Sequence, residues 1–282
     1  MPSHVAVVTD STACLPDHLI NQWGIKVVQL QLQVGAHVDD EHRFSRPEII
    51  EALRMGKTVA TAPPDAGAFF WTYQDAVSAG ATAIVSVHIS GRMSATAQAA
   101  REAAQQVRIP VHVLDSEILG MSLGFAALSA ARAAAAGGQA RRVIEAAERR
   151  YTTSTELIYV DTLEYLRRGG RIGAATKFLG TALSIKPLLT VRDGEVAPVA
   201  RVPGTRRALA KLADLAVDRA GGQPVDIAVL RFGAPDERME EVTARLKERL
   251  PAVRDSLLLE ASTIIGAHVG PGAVGITVSP AA

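Results

Sequence analysis

Val5-Ala6-Val7-Val8-Thr9-Asp10-Ser11-Thr12-Ala13-Cys14-Leu15-Pro16 decides the fold class. A short β-branched run ends in Asp10, Ser11 and Thr12, whose side chains favour turns and caps. Pro16 then suits a first helical turn and Gly24 its end. In order this is strand, loop, helix. Working outward, Val28, Leu30, Leu32 and Val34 alternate with Gln29, Gln31 and Gln33, the period of one strand with a wet face. Ser45-Arg46-Pro47-Glu48 is a capping box opening a helix that should stop near Met55 or Gly56. Thr82 to Val87 reads as a buried strand, Ser94 to Val107 as a helix and Val111 to Leu114 as a third strand. Two helices follow around Gly137-Gly138. Strands alternating with helices imply a parallel sheet covered on both faces.

Beyond Glu156 the pattern changes. Leu157 to Val160 reads as a strand and Asp161 to Arg168 as a short helix, with a break at Gly169-Gly170. Ile185 to Val191 and Glu195 to Val202 flank Asp193-Gly194, a two-residue hairpin signal. Helices over Thr205 to Arg219 and Asp236 to Leu250, with flanking strands, complete the second half. The expectation is a two-lobed α/β protein. An N-terminal parallel α/β lobe covers 1–155, and a C-terminal α+β lobe covers 156–282.

Composition narrows the function. Of 282 residues, 48% are apolar and 21% charged, which is ample for a core and excludes wholesale disorder. Thirty Lys and Arg against 29 Asp and Glu give no field for generic nucleic-acid or anionic-membrane binding. Cys14 is the single cysteine, so neither a disulfide framework nor a cysteine metal cage is expected. Met1 to Asp10 lacks the features of a secretory signal, and Arg132 interrupts the apolar run Ser122 to Gly138. A soluble, cytoplasmic protein is expected.

Three motifs tempt. Gly120-Met121-Ser122-Leu123-Gly124 fits a G-x-S-x-G nucleophile elbow, and with His268 it gives a serine-esterase reading. Asp115 to Leu119 intervene between strand and motif, however, where an elbow needs a direct turn. Gly270-Pro271-Gly272-Ala273-Val274-Gly275 fits G-x-G-x-x-G but runs into a strand-like segment, so it is no dinucleotide loop. A phosphate loop for a triphosphate is absent. Asp39-Asp40-Glu41-His42 reads as a solvated turn rather than a metal cluster, and no metal is expected. His268 stands out among the histidines because it sits in a glycine-rich loop that a ligand can approach closely.

Hydroxyls gather in two loops. Thr61 precedes Pro63-Pro64, which stiffens the chain. Ser90-Gly91-Arg92-Met93-Ser94-Ala95-Thr96 follows the Thr82 to Val87 strand and opens a helix, where free N–H groups and hydroxyls suit an anion. Ser94 as a plain helix cap and Thr61 as an ordinary loop threonine remain open beside that reading. From the residues alone a small-anion-binding sensor is also open.

The ordered motifs resemble the DegV family of bacterial fatty-acid-binding proteins. Thr9 to Pro16 resembles its T-D-S-T-A-D-L-P, with Cys14 in place of the acid. Thr61-Ala62-Pro63-Pro64 resembles its T-S-Q-P loop, with departures at Ala62 and Pro63. Ser90 to Ala100 resembles S-S-G-L-S-G-T-Y-Q-S-A, with Ser94, Thr96 and Gln98 matching and Ala95 in the place of a glycine. Val113 to Ser116 resembles V-x-D-S. Asp161 to Ile172 resembles D-T-L-x-Y-L-x-x-G-G-R-I, followed by Ile185-Lys186-Pro187-Leu188-Leu189, and His268 to Ala273 resembles the closing H-V-G-P-G-A.

The resemblance implies a non-catalytic carrier that holds one long-chain fatty acid, such as palmitate, between its lobes. No other cofactor is implied. Thr61 and Ser94 fall on the family's carboxylate-binding residues, with Thr96 beside them, and His268 on its nearby histidine, so the C-terminal segment returns to the head-group site. The family presents the carboxylate to a separate fatty acid kinase. Phe178, Leu179, Leu183, Ile185 and Leu189 are candidates for the acyl tunnel, and Arg171 and Arg201 for kinase docking. A transient membrane contact during loading is compatible with this reading.

Overall fold

The computed structural model describes residues 4–180, 184–233, 237–250 and 252–281. The opening run forms β1 (Val5–Asp10), buried at five of six positions because neighbours flank it on both sides. α1 (Asp17–Trp23) follows Pro16 and ends at Gly24, whose φ of 62° needs a residue without a β-carbon penalty. β2 (Lys26–Val28) pairs in parallel with β1. Next come β3 (Gln31–Val34), β4 (His37–Asp40), α2 (Arg46–Arg54), β5 (Val59–Ala62), α3 (Ala66–Ser78), β6 (Ala83–His88), α4 (Thr96–Ala104) and β7 (Val111–Asp115). The parallel sheet runs in the order β2-β1-β6-β7, and a separate antiparallel sheet runs β4-β3-β5.

The single strand expected from Val28 to Val34 is therefore two strands in two sheets. Burial does alternate, with Val28, Leu30 and Leu32 buried, but the chain leaves the parallel sheet at Gln29. There Leu30 donates its N–H to Ser11 Oγ at 3.1 Å and accepts from the N–H of Glu41 at 2.9 Å. The helix expected from Ser94 starts at Thr96, and Ser94 gives it no side-chain cap. Ser45 does cap α2, accepting the N–H of Glu48 at 3.4 Å.

α5 (Gly120–Ala135) and α6 (Ala140–Thr153) come next. α5 packs against β1 and β6 on one side and on the other against β8 (Thr155–Tyr159) and β13 (Ala273–Pro280). Ala126, Ala127, Ala130 and Ala131 are buried on α5, and such short side chains let one helix serve both sheets. The remaining elements are α7 (Glu164–Arg168), β9 (Ile185–Arg192), β10 (Glu195–Pro203), α8 (Thr205–Ala220), β11 (Val225–Phe232), α9 (Glu237–Arg249), β12 (Val253–Glu260) and α10 (Thr263–Val269). The second sheet is mixed, in the order β10-β9-β8-β13-β11-β12, with only β11 and β12 parallel. Asp193 and Gly194 turn the β9–β10 hairpin with φ of 51° and 76°, as its two-residue loop requires. Buried Arg150 on α6 bonds Asp226 and the carbonyl of Pro280, tying that helix to the second sheet.

Asp10 does more than cap a turn. Its Oδ1 accepts from the backbone and hydroxyl of Thr12, and its Oδ2 accepts from the N–H of Ile89 and faces His88 Nδ1, both at 3.0 Å. His88 Nε2 meets Ser86 Oγ at 2.6 Å, and Ser86 meets the Tyr73 hydroxyl at 2.8 Å. The order Asp, His, Ser copies a hydrolase triad, but Asp10, Ser86 and His88 are all fully buried, and the network stitches β1 to β6. Asp10→Ala strands these donors in the core. It should lower unfolding free energy by about 3–5 kcal/mol in urea denaturation, and a loss below about 1 kcal/mol would show that the network is dispensable.

Candidate functional site

The site lies where the loop after β6, the end of β5 and the end of α10 converge. Thr61, next to last in β5, pairs with Leu32 of β3, and its Oγ1 lies 2.8 Å from His268 Nε2. These residues are 207 apart in sequence. His268 is next to last in α10, whose first turn is fixed by Ser262, accepting the N–H of Ile264, and by Glu41, accepting the N–H and hydroxyl of Thr263. Glu41 is thus a buried tie between lobes, and the solvated turn read at Asp39 to His42 is corrected at this residue. A carboxylate facing a helix N-terminus completes its open N–H groups.

Gly169 lets the ring fit. A β-carbon there would stand 2.1 Å from His268 Nδ1, so the Gly-Gly break serves close approach at its first position. Burial, helped by the positive charge of Arg171, holds His268 down at about 4, so the ring is neutral at pH 7. Arg171 donates Nε to the carbonyl of Met93 at 3.0 Å and a terminal nitrogen to that of Gly169 at 2.8 Å. It lines the cavity and binds the second lobe to the first.

Ser94 Oγ and Thr96 Oγ1 are 2.8 Å apart, with Thr96 fully buried and Ser94 at the cavity wall. Their loop is held from both lobes. Asp115 accepts the N–H of Gly91 at 3.0 Å, and Ser90 donates its hydroxyl to the carbonyl of Gly194 at 2.7 Å. Arg92 pairs with Glu195 at 2.8 Å. The tip of the β9–β10 hairpin therefore seats the hydroxyl loop, a role that the sequence reading did not assign to it.

Thr61, Ser94, Arg171 and His268 open on a narrow cavity of about 60 Å³. Its other walls are Leu30, Ile89, Met93, Leu119, Ile158, Leu166, Val196, Ile264, Ile265 and Val269 among others. Leu119, Ile158, Ile265 and Val269 are shared with a second chamber of about 30 Å³, which continues to Leu230, Phe232, Gly275 and Glu156. The two adjoin across these four shared side chains as an interrupted passage, with hydroxyls at one end and mostly apolar walls beyond. A larger depression of about 640 Å³ lies elsewhere, bordered by Asp17, Glu41, His42, Arg46 and Glu260, and its charged rim does not suit hydrocarbon.

Of the tunnel residues expected from the sequence, the described ones do not line these two chambers. Leu179 is 44% exposed, Phe178 lies under the Arg201 guanidinium at 4.6 Å, and Leu183 falls outside the described residues. Ile185 and Leu189 stand in β9, Leu189 beside Ile158 in the ladder, but neither reaches the cavity wall. The passage follows β8, β13, α5 and α10 instead, contacts between segments too far apart in sequence for local pattern to reveal. The Ser122–His268 esterase pairing also fails. Ser122 is buried inside α5 and donates to Glu156 at 2.7 Å, while His268 is engaged with Thr61. Among the described residues no three His, Cys, Asp or Glu side chains are placed to hold a metal, and no helix is long and apolar enough to cross a membrane.

Known proteins match this arrangement along its length. The model of the DegV family of uncharacterised proteins matches residues 4–281. The chain belongs to the DegV family. A DegV domain-containing protein of Streptomyces coelicolor is 43% identical, with 99% of each chain covered. A DegV family protein of Thermus thermophilus, described for its fatty acid binding, superposes with a TM-score of 0.92 at 30% identity over 99% of this chain and 100% of that one. DegV of Bacillus subtilis, described as a fatty acid binding protein, gives a TM-score of 0.88 at 28% identity, again over 99% and 100%.

The depressed His268 sets a pH test. Its folded value of about 4 lies below the ordinary 6.5, so the unfolded chain takes the proton first. Its contribution to stability is complete above pH ~6.5 and is lost as pH falls toward ~4. Ring-carbon NMR titration of the lipid-free protein should show no His268 protonation at pH 6, and a midpoint at 6.5 or above would contradict the burial described.

Proposed function

We propose that this DegV protein binds one long-chain fatty acid between its lobes and carries it without chemical change. The observation that supports this best is the passage itself, hydroxyls and a neutral histidine at the mouth and hydrocarbon side chains within. Thr61 and Ser94 are the proposed carboxylate ligands, with Thr96 orienting Ser94 and His268 orienting Thr61. A carboxylate leaves water only if such donors meet it. Arg171 adds a positive charge at the mouth, and each buried methylene contributes about 0.8 kcal/mol. The fatty acid binding described for the Thermus and Bacillus relatives supports the same reading.

Pockets for drug-sized ligands start near ~300 Å³, so an acyl chain must widen this passage by moving its side chains. Met93 at the wall is unbranched and adaptable. The cavity being apolar beyond its mouth disfavours a small-anion sensor, which has no use for it. We further propose that the carboxylate is presented to a separate fatty acid kinase in the cytoplasm. The chain has no phosphate loop of its own. Arg171 and Arg201 remain the docking candidates, Arg171 with its carbonyl contacts and Arg201 exposed beyond the Phe178 ring.

Mass spectrometry of gently denatured protein should release a stoichiometric C14–C18 acid. Ser94→Ala should weaken binding by about 1.5–3 kcal/mol, roughly ten- to a hundredfold, and unchanged acyl occupancy and exchange would refute the head-group assignment. In a reconstituted kinase assay, at least one of Arg171→Ala and Arg201→Ala should reduce acyl-phosphate formation per molecule of loaded protein, with loading measured in parallel. Undiminished transfer by both would move the docking surface elsewhere.

A further inference from the structure

Thr61 and Ser94 both line the outer chamber, and for each a buried neighbour settles where the hydroxyl proton points. Thr96 is fully buried, and Ser94 Oγ at 2.8 Å is the single hydrogen-bond partner of its hydroxyl among the described residues. A buried O–H left without an acceptor is costly, so Thr96 donates and Ser94 accepts. The second pair is His268 Nε2 and Thr61 Oγ1, also 2.8 Å apart. The other ring nitrogen, Nδ1, is buried and has no hydrogen-bond partner among the described residues. A β-carbon on Gly169 would stand 2.1 Å from Nδ1, so the hydrogen that takes its place on the native glycine points at that nitrogen. A proton on Nδ1 would meet this hydrogen head-on and find no acceptor. A bare lone pair there suits a Cα–H neighbour. The neutral ring carries one proton, which therefore sits on Nε2.

We propose that His268 is locked as the Nε2–H tautomer, so that Thr61 and Ser94 both turn their hydroxyl hydrogens to the ligand and select a carboxylate over head groups bearing protons of their own. The proposal rests on the fatty-acid reading above and adds the rule by which its mouth chooses among acyl derivatives. His268 donates to Thr61 and Thr96 donates to Ser94, which leaves each accepting hydroxyl one hydrogen to place. A carboxylate offers those two hydrogens two acceptor oxygens. A primary amide must leave one of them unmet, or crowd both onto its single oxygen and turn its N–H groups to a largely apolar mouth. Arg171 cannot relieve that mismatch, because a guanidinium only donates. Sites whose buried polar groups are left unpaired reject the mismatched ligand strongly. Gly169 is then a positioning residue that acts through the His268 ring.

Both halves are read on the full-length, delipidated protein. A long-range proton–nitrogen NMR correlation at neutral pH should show Nε2 of His268 as the protonated ring nitrogen and Nδ1 as the bare one. A protonated Nδ1 overturns the proposal and leaves the carrier reading intact. Native mass spectrometry then sets palmitic acid against equimolar palmitamide, and the wild type should favour the acid by roughly ten- to a hundredfold. The charge of Arg171 alone would also favour the acid, so the deciding variant is His268→Gln, which keeps Arg171. The glutamine carbonyl can accept the Thr61 proton and release Thr61 from its donor role, so the preference should narrow by about tenfold. Equal uptake of acid and amide by the wild type, or an unchanged preference in His268→Gln, overturns the selectivity. If palmitic acid does not bind at all, the carrier reading falls and this one with it.

Discussion

α10 is held at both ends by the other lobe, and the site depends on that. At its start Glu41 accepts the N–H and hydroxyl of Thr263, and at its end His268 meets Thr61 at 2.8 Å. Between these anchors Ile264 and Ile265 line the passage, and Val269 does so just beyond them. Because the helix cannot shift without breaking one tie or the other, the ring of His268 stays where Gly169 alone leaves it room. Burial then keeps the ring neutral. A neutral imidazole adds no charge at the mouth, leaving that role to Arg171.

The three sheets divide the work that an amphipathic ligand demands, with the small β4-β3-β5 sheet presenting Thr61. The parallel sheet provides backbone and hydroxyl groups at the carboxyl ends of its strands, where open α/β sheets commonly bind ligands. The mixed sheet offers an apolar face made from β8, β11 and β13. α5 belongs to both, touching β1 and β6 as well as β8 and β13, so the seam between lobes is a packed core rather than a hinge cleft. Ser90, Arg92 and Arg171 add polar ties across that seam close to the hydroxyl loop.

Much of this was legible in the sequence because local chemistry decides local structure. Asp193-Gly194 can hardly be anything but a hairpin, and Ser45 with Pro47 opens a helix wherever it lies. The alternation from Val28 to Val34 gave the correct buried face, yet not the change of sheet, which turns on Ser11 and Glu41 reaching Leu30 from elsewhere. Asp10 and His88 each looked ordinary, since their contact joins residues 78 apart. Glu41 looked solvated for the same reason. At the site, the motif resemblance brought Thr61, Ser94 and His268 together, and the structure places all three around one cavity. The apolar wall was less legible, because leucines in a core and leucines along a passage share one composition. Only the packing of α5 and α10 on β8 and β13 separates them.

The central claim is that a fatty acid lies along this passage with its carboxylate at the hydroxyl loop. A crystal structure of the protein with bound palmitic acid tests it most directly. The expected result is a carboxylate within hydrogen-bond distance of Thr61 and Ser94 and an extended chain running past Leu119, Ile158 and Ile265 toward Glu156. A chain lying against Phe178, Ile185 and Leu189, or a carboxylate remote from Thr61 and Ser94, would contradict it.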